Sequence, residues 1–319
     1  MHFALSTRLL AIGCGLLALA LSACATSGDE VPLAERELRI VATTSMLADL
    51  AREVGGEHVT VTGLMGPGID PHLYRPTEGN VQTMIEADLV LLNGLDLEGR
   101  MGEVVQQLDR LGIPAIAIAE ASIPAERLLT AEGYAGTFDP HVWMDVTRWQ
   151  DVATAVGATL AEVDPTHAES YAASATAYHD ALGPLDAYVR DQIATIPEDQ
   201  RILITAHDAF GYFSDAYGIA VRGLQGLSTD AEAGTADVQQ LAAFVTERRI
   251  PAMFVESSIS PRNIEAVQAA VRSRGFDVAV GGTLYSDALG PVGSGADTYV
   301  GMIRHNVDTM VEALAQVDA

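Results

Sequence analysis

Short β-branched runs alternate with helical segments twice along this chain, and a stretch that is helical throughout separates the two sets. Apolar runs at 38–42, 59–64, 89–92 and 115–119 alternate with helical patterns at 45–54, 77–87 and 98–111. In the first helix the apolar positions 46, 47, 50, 51 and 54 share one face. Thr77 supplies an N-cap for the second. After Pro197 the alternation resumes, with strands at 202–205, 219–223, 252–255 and 276–280 and helices at 209–217, 237–249, 261–274 and 296–314. Strands that alternate with helices of about ten residues build βαβ units and a parallel sheet.

The middle reads differently. Segments 147–163 and 165–196 are helical in pattern, and Pro165 suits a first helical turn. The second segment has one internal breaker, Gly183-Pro184. Unbroken, it spans roughly 48 Å at a rise of 1.5 Å per residue, longer than one lobe. The other reading is two packed helices kinked at Pro184. With 319 residues there is room for two domains with separate cores. The expected fold is therefore α/β: two similar lobes, each a small parallel sheet flanked by helices, bridged by a long α-helix. The boundaries run 37–145 for the first lobe, 146–198 for the helical segment and 199–319 for the second lobe.

Residues 1–24 stand apart. His2 and Arg8 precede an apolar run at 9–21, too short to span a membrane comfortably but suited to a signal-peptide core. Leu21-Ser22-Ala23-Cys24 resembles the lipobox of bacterial lipoproteins, in which the cysteine becomes the lipidated first residue. Cys14 falls in the part removed, so Cys24 is the one cysteine of the mature chain, and disulfides and thiolate metal sites are excluded. Residues 25–36 are small, polar and acidic, and read as a tether. The formal charge is −25, and all 18 basic residues are arginine. Nucleic acid needs clustered positive charge, so it is excluded as a partner. The acidic field fits a protein that gathers cations, or a halophilic surface, and does not locate a site.

Site chemistry begins with a repeated motif, Asp70-Pro71-His72-Leu73-Tyr74 and Asp139-Pro140-His141-Val142-Trp143. Proline fixes its own φ and keeps the preceding residue out of the helical region, so each motif presents one imidazole stiffly. Neutral imidazole is the commonest ligand for zinc-like ions. His72, His141, His207, Glu256 and Asp287 all fall beyond an expected strand end or in the loop that follows one, where open α/β sheets bind ligands. Three imidazoles and a carboxylate suit a borderline divalent cation, zinc first and manganese second. His207 also reads as a buried histidine bonded to its neighbour, and Asp287 as a turn or helix cap. Glu256 reads as an acceptor that orients a histidine N–H, or as a cap for the helix at 261. His58, His167, His179 and His305 read as surface or packing residues.

These motifs, with His207-Asp208-Ala209-Phe210-Gly211-Tyr212-Phe213 and Leu284-Tyr285-Ser286-Asp287-Ala288-Leu289-Gly290, resemble the zinc/manganese (cluster 9) family of ABC-transporter solute-binding lipoproteins. The resemblance runs from Cys24 to the end. It implies two α/β lobes bridged by a rigid helix, one metal between them held by His72, His141, His207 and Asp287, and a membrane permease as partner. A third histidine leans toward Zn²⁺. Residues 120–138 lack the histidines that many dedicated zinc members carry there, which leaves Mn²⁺ in play.

The expected function is extracytoplasmic capture of Zn²⁺ or Mn²⁺ by a monomer tethered to the membrane through its N-terminal lipid, and delivery to an ABC importer. A closed four-ligand shell argues for holding an ion, because catalytic zinc keeps a position open. One alternative is a metal-dependent hydrolase with Glu256 or Asp208 as base; the chain has no Ser-His-Asp order, phosphate loop or His-Glu-x-x-His to support it. The other is a surface adhesin with a structural metal.

Overall fold

In the computed structural model, which describes residues 32–130 and 137–315, the first half runs β1 (Leu38–Ala42), α1 (Ser45–Gly55), β2 (Val59–Gly63), α2 (Glu78–Ile85), β3 (Leu89–Leu92), α3 (Gly102–Leu111), β4 (Ala115–Ala117) and α4 (Ile118–Ser122). The four strands form one parallel sheet in the order β2-β1-β3-β4. Every residue of β3 is buried, as expected of an inner strand covered on both faces, whereas β2 at the edge exposes Thr60 and Thr62. Helix α1 starts where the Thr44 side chain accepts the Leu47 N–H, and it buries Met46, Leu47, Leu50, Ala51 and Val54. A capping box between Thr77 and Asn80 starts α2.

Two helices follow, α5 (Val146–Val163) and α6 (Ala168–Ala194). Pro165 opens a separate 3-10 turn, Pro165–His167, before α6 begins. Helix α6 passes through Pro184 unbroken, and its 27 residues extend roughly 40 Å. Pro184 is exposed, so the missing N–H faces the outer side while Leu182, Leu185, Val189 and Ile193 stay buried.

The second half runs β5 (Ile202–Thr205), α7 (Gly211–Tyr217), β6 (Ala220–Gly223), α8 (Thr235–Arg248), β7 (Ala252–Glu256), α9 (Arg262–Ser273), β8 (Ala279–Leu284) and α10 (Tyr299–Leu314). Strands β5 and β6 pair in parallel, as do β7 and β8, and β5 lies beside β7. Ile204, Val245, Met253, Val267 and Val271 build the core between these strands and α8 and α9. Helix α6 packs against α1 of the first half and α10 of the second.

Many boundaries shift by one to four residues, and four of the shifts have a visible cause or consequence. The strand expected at 276–280 is β8 at Ala279–Leu284, so residues 282–284 are strand and not loop. Gly281-Gly282 reads as a breaker but is needed by packing. A Cβ at Gly281 would lie 2.7 Å from the Ala313 Cβ, and one at Gly282 would lie 2.5 Å from Thr309 Cγ2, because α10 sits tightly on the strand. The helix expected from 98 begins at 102 after a 3-10 turn, since Glu98 turns inward to accept the N–H groups of Asn93 and Gly94. The strand expected to reach 119 stops at Ala117, where α4 takes over. The last helix starts at Tyr299 rather than 296, capped by the Thr298 side chain on Gly301 N–H. The signal-peptide reading of 1–24, Cys24 and most of the tether at 25–36 lie outside the described residues. Among the described residues no helix is long and apolar enough to cross a membrane.

Candidate metal centre

Both Asp-Pro-His motifs fold into the same local device. Asp70 Oδ1 accepts the His72 backbone N–H at 2.9 Å, and Asp139 Oδ1 accepts that of His141 at 2.9 Å. The proline between them keeps the aspartate side chain folded onto the histidine. His72 sits in the loop after β2. His141 is the exception to the strand-end rule: it follows an isolated bridge between Thr130 and Phe138 and leads into α5. His207 follows β5, Glu256 is the last residue of β7, and Asp287 follows β8. A Cβ at Gly223 would lie 2.5 Å from Asp208 N and 2.6 Å from His207 C, so only glycine lets β6 approach the His207 turn so closely.

These loops bring His72, His141, His207 and Asp287 together, with one donor atom from each lying within 4.8 Å of all the others. All four are buried. His72 Nε2 stands 3.3 Å from His141 Nε2. Asp287 Oδ1 stands 3.6 Å from His141 Nε2 and 3.4 Å from His207 Nε2. A tetrahedral ion with bonds of about 2.0–2.1 Å has ligand–ligand edges of roughly 3.3–3.4 Å, which these three separations approximate.

The outward nitrogens fix the tautomers. His141 Nδ1 lies 2.7 Å from Asp139 Oδ1, and His207 Nδ1 lies 2.6 Å from Glu256 Oε2. A carboxylate accepts, so each Nδ1 donates and each Nε2 is left to the centre. His207 Nε2 and Asp287 Oδ1 are buried 3.4 Å apart with no other hydrogen-bond partner, so a proton between them in the empty site, or a cation that replaces it, must compensate the pair. Burial opposes charge on His207, but Asp287 and Glu256 outweigh it and hold its pKa well above the usual range. Burial also opposes ionisation of Asp287; His207 above all, with His72 and His141, holds its carboxyl well below the usual range. Burial pushes His72 down to about 3, with His141 and His207 adding to the shift and Asp287 resisting it. The chamber thus favours one positive charge among lone pairs.

Glu256 Oε1 also accepts the N–H groups of Ala206 at 2.7 Å and His207 at 2.9 Å, and α9 has no side-chain cap, so Glu256 serves the histidine turn and not the helix. Asp208 lies beside the centre, with burial raising its pKa; no donor atom of it joins the four. His58 and His167 stack on each other at 4.0 Å, His179 pairs with Asp180, and His305 donates to Thr283 O, so none of them reaches the centre. Residue-by-residue reading missed the braces. Ser258 Oγ donates to Asp287 Oδ2 at 3.0 Å, Asn93 Nδ2 donates to Pro140 O at 3.0 Å, and Trp143 Nε1 donates to Ser286 O at 2.7 Å. Trp143 was visible in its motif; nothing in the sequence marks Ser258 or Asn93.

Residues 40–313 match the family described as "Zinc-uptake complex component A periplasmic". The chain belongs to this family. It is 47% identical over 281 residues to the manganese-binding lipoprotein MntA of Bacillus subtilis, covering 88% of this chain and 91% of MntA. It is 46% identical over 289 residues to the zinc-binding protein TroA of Treponema pallidum, covering 91% of this chain and 92% of TroA. The solved structure of the Treponema pallidum TroA superposes with a TM-score of 0.85 at 47% identity, over 88% of this chain and all of that one. Membership in a family of solute-binding proteins sets the hydrolase reading aside.

Proposed function

We propose that this chain is the extracytoplasmic solute-binding component of an ABC importer, with Zn²⁺ or Mn²⁺ as its cargo and a membrane permease as its partner. His72, His141, His207 and Asp287 hold the ion, and Glu256 and Asp139 aim two of the imidazoles. The observation that carries this reading is the convergence of four buried donor atoms within 4.8 Å of one another, with three of their separations, 3.3, 3.4 and 3.6 Å, near the edge of a tetrahedral shell. Four protein donors close the shell, so the ion is carried and not used for chemistry on a substrate.

The three imidazoles favour Zn²⁺ over Mn²⁺, in line with the general order of divalent affinities. Relatives of nearly equal identity are named for manganese in one case and zinc in the other, which supports a site that accepts both. Cleavage before Cys24 and lipidation there would leave a monomer tethered to the membrane, with residues 25–36 as spacer and lobes bounded at 37–145 and 199–319.

The test is metal analysis of the protein purified from its own host, with competition between Zn²⁺ and Mn²⁺ and the variant His141→Ala. The expected result is one ion per chain, bound orders of magnitude more weakly by the folded variant. Parental affinity in His141→Ala would end the ligand assignment.

A further inference from the structure

Two of the three imidazoles are aimed by carboxylates through Nδ1. For His72 no such carboxylate bond to Nδ1 is found among the described residues; instead its backbone N–H is held by Asp70 Oδ1 at 2.9 Å. The other oxygen of Asp70 accepts a 2.6 Å hydrogen bond from Thr229 Oγ1, a buried residue of the loop between β6 and α8 in the opposite half. The next residue, Asp230, pairs with Arg100 in the 3-10 turn Gly99–Met101. Segment 226–234 therefore grips the first half at two separate elements.

The roots of the segment are fixed in the second half. Gln225 Nε2 donates to Ala231 O at 3.0 Å, and its Oε1 accepts from Asn263 Nδ2 at 3.0 Å. Asp208 N–H donates to Gly226 O at 3.3 Å. The segment is a strap: anchored on one side of the centre, and tied on the other to the loop that carries His72.

We infer that Thr229 is a positioning residue for metal retention, holding His72 in place through Asp70, and that release of the ion begins when this strap lets go. The inference rests on the ligand set proposed above. With the strap tied, Asp70 is fixed at both oxygens and the His72 turn cannot swing. With it loose, Oδ2 loses its donor, the turn is held by Oδ1 alone, and His72 is the first ligand free to leave. Loss of one hydrogen bond to a charged acceptor corresponds to about a tenfold change in rate.

The test uses the full chain loaded with Zn²⁺ and mixed rapidly with excess chelator, following the release rate. Thr229→Val keeps the shape and removes the hydroxyl; it should release Zn²⁺ about tenfold faster or more. Thr229→Ser keeps the hydroxyl and should restore slow release, which a packing role alone would not require. Arg100→Gln loosens the strap from an exposed position without touching Asp70, and should also speed release. Parental rates in both Thr229→Val and Arg100→Gln, or equal acceleration in Thr229→Ser and Thr229→Val, would overturn the inference. His72→Ala separates the two readings. If it loses Zn²⁺ while the strap variants release at the parental rate, only the strap fails; if it holds Zn²⁺ as the parent does, the ligand set fails.

Discussion

Glu256 holds His207 at two points: Oε2 lies 2.6 Å from the ring Nδ1, while Oε1 accepts the backbone N–H of the same residue at 2.9 Å. One side chain thus sets both the tautomer and the position of the ring. Glutamine at 256 has a single acceptor oxygen. If that oxygen keeps the backbone N–H groups, the amide NH₂ faces Nδ1 and drives the ring proton onto Nε2, where the ion should sit. Glu256→Gln should weaken Zn²⁺ binding roughly 10–100-fold, as expected for loss of an outer partner of a metal-binding histidine. Competition against a chelator of known affinity checks this, and unchanged affinity would count against an orienting role.

The raised pKa of His207 makes a prediction about protons. In the metal-free chain, Asp287 and Glu256 keep His207 protonated well above the usual histidine range, against the effect of burial. A metal ion must displace that proton. His72, pushed down to about 3, has none to lose at neutral pH, and Asp287 is already ionised. Loading Zn²⁺ at pH 7 should release about one proton from His207, and affinity should fall about tenfold for each unit of pH below neutrality. Titration in weak buffer with a pH indicator measures the release. Loading that released no proton would mean that His207 stays neutral in the empty site.

Much of this was legible in the sequence because it depends on local patterns. Short apolar runs separated by amphipathic helices specify βαβ units, and Asp-Pro-His encodes its own turn, in which the aspartate folds back on the histidine N–H. Illegible parts depend on contacts distant in sequence. Gly281-Gly282 resembles a loop because glycine breaks strands, yet the pair is strand because α10 leaves no room for a Cβ. Glu98 looks like an ordinary first-turn acid; its role in bonding Thr43, Asn93 and Gly94 emerges only once β1 and β3 lie side by side. Thr229 carries no signal at all, since its partner Asp70 is 159 residues away.

Asp49 predicts an unusual stability profile. It lies buried on α1, where Oδ2 accepts the Tyr299 N–H at 2.8 Å, and burial raises its pKa to about 6 from 3.8. The folded state therefore binds the proton more tightly than the unfolded chain. Its contribution is fully present below about pH 4 and is lost as pH rises through 6, the reverse of a salt-bridged aspartate. Asparagine keeps the acceptor for Tyr299 and removes the charge. Asp49→Asn should exceed the parent in stability above pH 6 by up to roughly 3 kcal/mol, with the gap closing toward pH 4. Urea unfolding of both metal-free proteins across this range provides the check; a gap that did not change with pH would refute the assignment.

Helix α6 continues through Pro184 and packs one face, with Tyr171, Leu182, Leu185, Val189 and Ile193 buried, against both α1 and α10, so the connection between halves is a packed helix and not a flexible loop. Further ties cross beside it: Tyr299 OH donates to Trp143 O at 2.8 Å, Leu289 N–H donates to Ser45 Oγ at 2.8 Å, and Tyr212 OH donates to Asp139 O at 2.9 Å. Hinge closure needs a few residues free to change φ and ψ, and a helix packed along its length offers none without breaking backbone hydrogen bonds. Loading and release should therefore proceed by small loop movements near the centre, with the halves nearly fixed. Small-angle scattering of the protein with and without Zn²⁺ should give superimposable curves. A clear compaction on loading would mean that α6 bends or unwinds, and the Gly183-Pro184 step is where that would have to happen.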